Sequence, residues 1–286
     1  MTALQQTFDL PQDAAGQSLA ASPCSLILGD CLEVMKNLPD KSVDAIITDL
    51  PYATTSNKWD TPFPVEAWWA EAMRVCRGAV VTTASQPFTA RMVMSNLPWF
   101  RHEWVWIKNR GSNFANTVRE PMKEHESVLV FAEKKWTYNK QMQERTGGGA
   151  DRVKYGVAFR SQSDNYREFE GRDHQQLPEM RVPSSWQKFN CEVGLHPTQK
   201  PLELMRYMVR TYTNPGDVVL DTCMGSGTTC LAAKLEGRGY IGIEREPKYF
   251  ETAKTRIEGD GDLFSANAPA VAHGVTEEPS PAKEKP

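Results

Sequence analysis

The sequence predicts an α/β protein built on a doubly wound, mostly parallel sheet, interrupted by one long irregular insert. Three observations predict it. Short apolar runs alternate with segments of helical period, as in strand–helix–strand units. Two of those runs, 43–48 and 239–244, end beside a carboxylate at their carboxyl ends, where open α/β sheets bind ligands. A glycine-rich bend, Met224-Gly-Ser-Gly-Thr-Thr229, joins a strand to a helix late in the chain.

Residues 1–22 are small and polar and read as a loose N-terminal arm. Ser25–Leu28 is a short strand closed by Gly29-Asp30. Leu32, Val34, Met35 and Leu38 follow with helical spacing. Val43–Thr48 is a buried strand, too short for a helix and ended by Asp49-Leu-Pro-Tyr52. A helix over 65–75, a strand over 79–83, a helix over 88–97 and strands over 103–107 and 127–131 complete the first half, residues 23–133. From about Lys134 to Leu195 the apolar periodicity fades. Tyr138, Tyr155, Phe159, Tyr166, Phe169 and Trp186 interleave there with Arg145, Arg152, Lys154, Arg160, Arg167, Arg172 and Arg181. A segment this long without regular structure is a binding region or a lid.

Order returns at His196-Pro-Thr-Gln-Lys-Pro201. Pro201 suits a helix start, and Leu202, Met205, Met208, Val209 and Tyr212 supply the buried face. A strand ending in Asp221, the glycine bend, a helix over 230–236, a strand ending in Glu244 and a helix over 249–257 make the last unit, within residues 196–260. Residues 261–286 hold too little apolar content to fold and read as a disordered tail.

Composition narrows the function. The 286 residues carry 33 Lys+Arg against 36 Asp+Glu. Residues 101–190, however, hold 16 cations against 12 carboxylates, a basic middle on an acidic body. Such asymmetry suits a nucleic-acid contact region or a solvated loop. The six cysteines show no metal-ligand spacing, so no zinc site is expected. They read as reduced thiols of an intracellular, cytoplasmic protein. The N-terminal residues lack a secretion leader's pattern, and no run is long and apolar enough to span a membrane.

The Asp221–Glu244 unit carries its own chemistry. Gly225 and Gly227 admit a ligand to the backbone, and Glu244 can accept from both hydroxyls of a ribose. A dinucleotide fingerprint would place a third glycine where Cys230 stands, and the lysine of a phosphate-binding loop is missing. Asp221 would repel a pyrophosphate but suits a cationic amino-acid moiety. These departures favour S-adenosylmethionine over NAD or ATP.

Asp49-Leu-Pro-Tyr52, His196-Pro-Thr-Gln-Lys-Pro201 and Asp221-x-x-x-Gly225-x-Gly227, in this order, resemble the DNA amino-methyltransferases of the permuted beta class. The resemblance covers about residues 24–258. With the Thr/Ser/Asn loop and Trp59-Asp60, the chain is also similar to phage-borne adenine-specific methylases. Leu50 departs from the family's usual proline. The resemblance implies a Rossmann-like fold and transfer of a methyl group from S-adenosylmethionine to an exocyclic amine of double-stranded DNA, adenine N6 above all. It also implies a restriction-modification setting in a bacterial or phage-infected cell and the possibility of a homodimer.

Residue by residue, the resemblance implies that Asp49 and the Leu50 carbonyl accept hydrogen bonds from the target amine. Pro51 shapes the turn and Tyr52 stacks on an extruded base. Asp221, Gly225, Gly227 and Thr228 line the methionine part of the cofactor. Thr198, Gln199 and Lys200 hold its carboxylate, Glu244 its ribose and Asp30 its adenine amine. Trp59 is a candidate for closing over the target base, and the insert's own composition offers Arg145, Arg152, Lys154, Arg160, Arg167 and Arg172 as DNA contacts.

Plainer readings stand beside these: Asp30 as a turn residue, Trp59 as packing, Lys200 as a surface lysine. Glu126 reads as structural, Cys31 and Cys223 as packing residues, and His196 as turn support. Three rival functions remain. Cytosine N4 methylation is disfavoured by Asp49, where many cytosine enzymes carry serine. A nucleotide-dependent oxidoreductase is disfavoured by Cys230. A non-catalytic DNA-binding relic is disfavoured by the intact Asp49 and Tyr52.

Overall fold

The computed structural model describes residues 24–53, 62–145, 180–192, 194–195 and 198–259. In chain order the elements are β1 (Cys24–Leu28), α1 (Cys31–Lys36), β2 (Val43–Thr48), α2 (Val65–Val75), β3 (Cys76–Ala84), α3 (Phe88–Ser95) and β4 (Phe100–Ser112). A 3-10 turn (Phe114–Asn116), β5 (Lys123–Phe131), β6 (Gln143–Glu144), β7 (Met180–Arg181) and β8 (Trp186–Phe189) follow. The chain closes with α4 (Leu202–Tyr212), β9 (Val218–Asp221), α5 (Thr228–Leu235), β10 (Gly239–Glu244) and α6 (Pro247–Glu258).

Eight strands form one sheet in the order β1-β10-β9-β2-β3-β5-β4-β8. The run from β1 to β3 is parallel throughout. β5 turns antiparallel to both β3 and β4. Parallel strands are covered on both faces, which is why β2 carries adjacent apolar residues, Ala45, Ile46 and Ile47, rather than an alternation. Ile46 enters one core with Met35, Trp68, Trp69 and Met92, from α1, α2 and α3. Ala45 and Ile47 enter the other, with Leu204, Met208, Ala253 and Ile257 from α4 and α6. Trp68 is fully buried. Its ring contributes about 2–3 kcal/mol by burial alone.

The pairing that positions the site is β2 with β9. Ala45 lies opposite Val219 and Ile46 opposite Leu220, although 174 residues separate each pair. From β2 the chain winds through α2 to β3 on one side. From β9 it winds through α5 to β10 on the other. The two strands therefore diverge at a topological switch point, which leaves a crevice beyond their carboxyl ends.

The expected elements are present, with two differences. The strand read over 103–107 runs from Phe100 to Ser112 and forms a long hairpin with β5, which starts at Lys123. Its outer part is polar and exposed, so apolar pattern alone did not mark it. The insert is also not wholly irregular. β8 joins the main sheet beside β4, Val105 opposite Trp186 and Lys108 opposite Phe189. Gln187 is buried there and donates to the Ser184 carbonyl at 2.9 Å. A four-residue strand with a buried glutamine gives no periodicity to read. Among the described residues, no helix is long and apolar enough to cross a membrane, and no group of three or more His, Cys, Asp or Glu could hold a metal ion.

Candidate active site

A cavity of about 640 Å³ opens at the switch point. Asp49 leaves the end of β2 into it. Its Oδ1 accepts from the Tyr52 hydroxyl at 2.7 Å and from the Thr83 hydroxyl on β3. Its Oδ2 accepts from Lys200 Nζ at 2.6 Å. Lys200 is 7% exposed, and its ammonium lies 3.5 Å from Glu126 Oε2. Glu126 Oε1 in turn takes Lys108 Nζ at 2.5 Å. Two carboxylates and two ammonium groups thus alternate in a nearly buried cluster.

Burial opposes the charge on Lys200, but the carboxylates of Asp49 and Glu126 outweigh it and push the pKa to about 12. Burial likewise works against ionised Glu126, and the two lysines outweigh it and lower its pKa. The Tyr52 phenol is pushed well up, by burial first and then by the Asp49 and Glu126 charges, so it stays a protonated donor. Tyr52 stacks on Phe88, the first residue of α3, with centroids 5.1 Å apart, and Lys200 Nζ stands 5.6 Å from its ring centroid.

The other wall comes from the end of the chain. Asp221 closes β9 and accepts from the Thr48 hydroxyl at 2.8 Å and the Cys223 N–H at 3.1 Å. Thr48 immediately precedes Asp49, so this bond ties the two halves of the site together. Burial raises the Asp221 pKa to about 6. Gly225 sits at φ 53°, a left-handed conformation that glycine reaches without strain. Its N–H donates to Glu244 Oε2 at 2.9 Å, and the Glu246 N–H donates to Oε1 at 2.8 Å. Burial raises the Glu244 pKa as well. A buried Arg256 from α6 braces this loop, donating to the Thr228 hydroxyl at 2.8 Å and to the Ser226 carbonyl at 3.2 Å.

An early carboxylate and a late glycine loop ending at a second carboxylate therefore face one cavity. A family described as DNA methylase matches residues 43–255. The chain belongs to this DNA amino-methyltransferase family. Among relatives, the methylase is 27% identical to the type II methyltransferase M.HinfI of Haemophilus influenzae, over 82% of this chain and 68% of that one. It is 27% identical to M.HpaI of Haemophilus parainfluenzae, over 84% and 76%. In structure it is similar to an M1.HpyAVI–SAM complex, with TM-score 0.56, 29% identity and coverage of 82% and 98%. The cytosine-N4-specific PvuII DNA methyltransferase gives TM-score 0.57 over 87% and 89% of the chains. At 16% identity that likeness speaks to the fold alone.

Most expected site residues of the methylase line the cavity: Asp30, Asp49, Leu50, Pro51, Tyr52, Thr198, Gln199, Lys200, Asp221, Gly225, Thr228 and Glu244. Several do something other than expected. Asp30 caps α1, its Oδ1 accepting from the Leu32 N–H at 2.9 Å, as in the plainer turn reading. Lys200 pairs with Asp49 and Glu126 rather than standing apart at the cofactor end. Gln199 anchors its own loop, donating to Glu192 Oε2 at 3.1 Å. Gly227 is not part of the cavity wall. An added Cβ would lie 2.9 Å from Ala253 Cβ, so this glycine lets α6 pack on the loop.

Arg145 is half-buried after β6, and its Nε has no hydrogen-bond partner among the described residues. Trp59, Arg152, Lys154, Arg160, Arg167, Arg172 and His196 lie outside the described residues. Sequence reasoning read Glu126 as structural only and passed over Lys108. Both stand on β-strands without a motif, and only the pairing of β4 with β5 brings them together. Cys31 and Cys223, read as packing residues, both line the cavity, and a hydrogen bond from Cys223 lowers the Cys31 pKa.

Proposed function

We propose that this chain methylates an exocyclic amine of double-stranded DNA, with S-adenosylmethionine as donor and adenine N6 as target. The observation that supports it most is the convergence of Asp49 and the Gly225–Glu244 loop on one cavity. The donor set there fits the cofactor. Asp221 offers negative charge to a cationic amino-acid end, Gly225 gives backbone access, and Glu244 offers a carboxylate to a ribose. Thr198 and Thr228 line the same cavity. When bound, S-adenosylmethionine would supply an electrophilic methyl group.

The chain's own residues deal with the amine. An exocyclic amine is a weak nucleophile because its lone pair is delocalised into the ring. The Asp49 carboxylate and the Leu50 carbonyl can accept its two N–H bonds, which turns the nitrogen toward tetrahedral geometry and frees that lone pair. Thr83, Tyr52 and Lys200 fix the carboxylate, so orientation is set before the base arrives. Pro51 and the Leu50 side chain, 2% exposed, hold the turn. Asp49, rather than a serine, favours adenine over the competing cytosine N4 target. The cations of the insert at 145–172 are the proposed DNA contacts outside the pocket.

The test is single-molecule sequencing of DNA from cells expressing the protein, which reports the modified base and its context together. N6-methyladenine at a defined site is expected, and Asp49→Ala should abolish it while S-adenosylmethionine still binds by calorimetry. N4-methylcytosine would overturn the choice of base. Loss of cofactor affinity equal to the loss of activity would put Asp49 in the wrong pocket.

A further inference from the structure

We propose that Phe114, at the tip of the β4–β5 hairpin, enters the duplex and fills the gap left when the target base is extruded. The inference rests on the DNA-methylation reading and extends it to a surface outside the pocket and outside the insert. The hairpin is one wall of the cavity: Arg110, Asn113 and Lys123 line it. Beyond that wall the tip carries Phe114, 78% exposed, and Val118, 86% exposed. A phenyl ring left in water has no folded-state gain to offset its exposure, whereas the stack of a DNA duplex offers it an apolar slot. Proteins that unstack DNA insert side chains of this kind, and base extrusion opens such a slot.

Two further features suit the hairpin to DNA. Around the tip, residues 110–123 hold three cations, Arg110, Arg119 and Lys123, against one carboxylate, Glu120. That balance complements a phosphate backbone. The tip is also built rather than slack. Asn113 adopts a left-handed φ of 67°, its side chain bonds to that of Glu120, and it accepts from Asn116 Nδ2 at 2.8 Å. Thr117 Oγ1 donates to the Phe114 carbonyl at 2.8 Å. Lower down, Gly111 lets the Met122 side chain of the other arm pack close, where a Cβ would meet its sulfur at 2.3 Å. A wedge must hold its shape while the base pair opens, and these contacts hold it.

The experiment compares wild type and Phe114→Ala on two duplexes carrying the mapped recognition site. One has the intact target pair. The other has an abasic site opposite the target base, so the pair is already broken. The variant is expected to lose about tenfold or more in kcat/KM on the intact duplex and less than threefold on the abasic one. Fluorescence anisotropy on the same duplexes should show the same selective loss in DNA affinity, and S-adenosylmethionine affinity should not change. An equal loss on both duplexes, or no loss on either, overturns the wedge. Because anisotropy needs no turnover, a wild type that binds these duplexes without methylating them would sink the enzymatic reading while the wedge is still read.

Discussion

Replacing Asp221 by Asn should make the protein more stable and a weaker cofactor binder in one step. Asp221 is 3% exposed. Burial raises its pKa from 3.8 to about 6, against the opposing donors Thr229, Thr48 and the Cys223 N–H. A carboxyl pKa raised by folding means that the fold disfavours the charge. Above pH 6 the carboxylate is ionised in both folded and unfolded chains, and the folded state carries the full penalty. At ~1.4 kcal/mol per pKa unit, about two units amount to roughly 3 kcal/mol. As pH falls from about 6 toward 4, the folded chain takes up a proton that the unfolded chain does not, so this penalty fades and wild-type stability gains.

Asparagine keeps an acceptor oxygen for Thr48 and Cys223 and removes the charge, and the Thr229 hydroxyl can turn to accept from the new amide N–H. Urea denaturation at pH 8 should therefore find Asp221→Asn more stable by about 2–3 kcal/mol, and by roughly half that at pH 5. Taking the difference between variant and wild type at each pH cancels the titration of every other group. Calorimetry at pH 8 should show weaker S-adenosylmethionine binding, as the proposed pairing of Asp221 with the cofactor's cationic end requires. A variant no more stable than wild type at pH 8, or an increment equal at both pH values, would refute the assignment of the penalty to Asp221.

Two other perturbations follow from the same geometry. Lys200→Met removes the ammonium shared by Asp49 and Glu126 and should cost about 3 kcal/mol by urea denaturation, the low end for breaking a buried pair. The low end applies because Lys108 still neutralises Glu126, while Thr83 and Tyr52 still donate to Asp49. A loss under about 1 kcal/mol would mean the cluster is solvated like a surface pair. Gly227→Ala forces a φ of 75° on a residue with a Cβ and drives that atom into Ala253 and Ile257. It should cost about 2–4 kcal/mol and loosen α6 against the loop. A neutral result would mean that α6 can shift without strain.

The parallel half of the fold was legible because each buried strand writes its own signal. Val43–Thr48, Val218–Asp221 and Gly239–Glu244 are short, mostly apolar runs with turns at both ends, and each falls where its composition says. The motif residues of the site were legible for a related reason: Asp49, Asp221 and Glu244 all end strands, and strand ends in such sheets meet at one edge. What was not legible lies where register decides. Glu126 faces the pocket because β5 runs antiparallel beside β4, with Trp106 opposite Glu126. No spacing in the sequence announces that pairing. Lys200 sits in a recognisable motif, but whether it turns to the cofactor or to Asp49 depends on carboxylates supplied by two other segments. Gly227 shows a second demand, the close packing of α6, because a glycine that admits a helix and a glycine that admits a ligand look alike in sequence.

The charge cluster explains why the hairpin belongs to the chemistry as well as to the surface. Asp49 and Glu126 both reach the Tyr52 hydroxyl, at 2.7 and 3.4 Å, so without cations the two carboxylates would repel across it. Lys200 stands between them and Lys108 stands behind Glu126, which makes the group of four electrically balanced and tolerable in a nearly buried place. Lys108 and Glu126 are carried on the two arms of the β4–β5 hairpin, below the turn that presents Phe114. The same two strands thus hold Lys108 against Glu126 and, through Lys200, set the position of the Asp49 carboxylate.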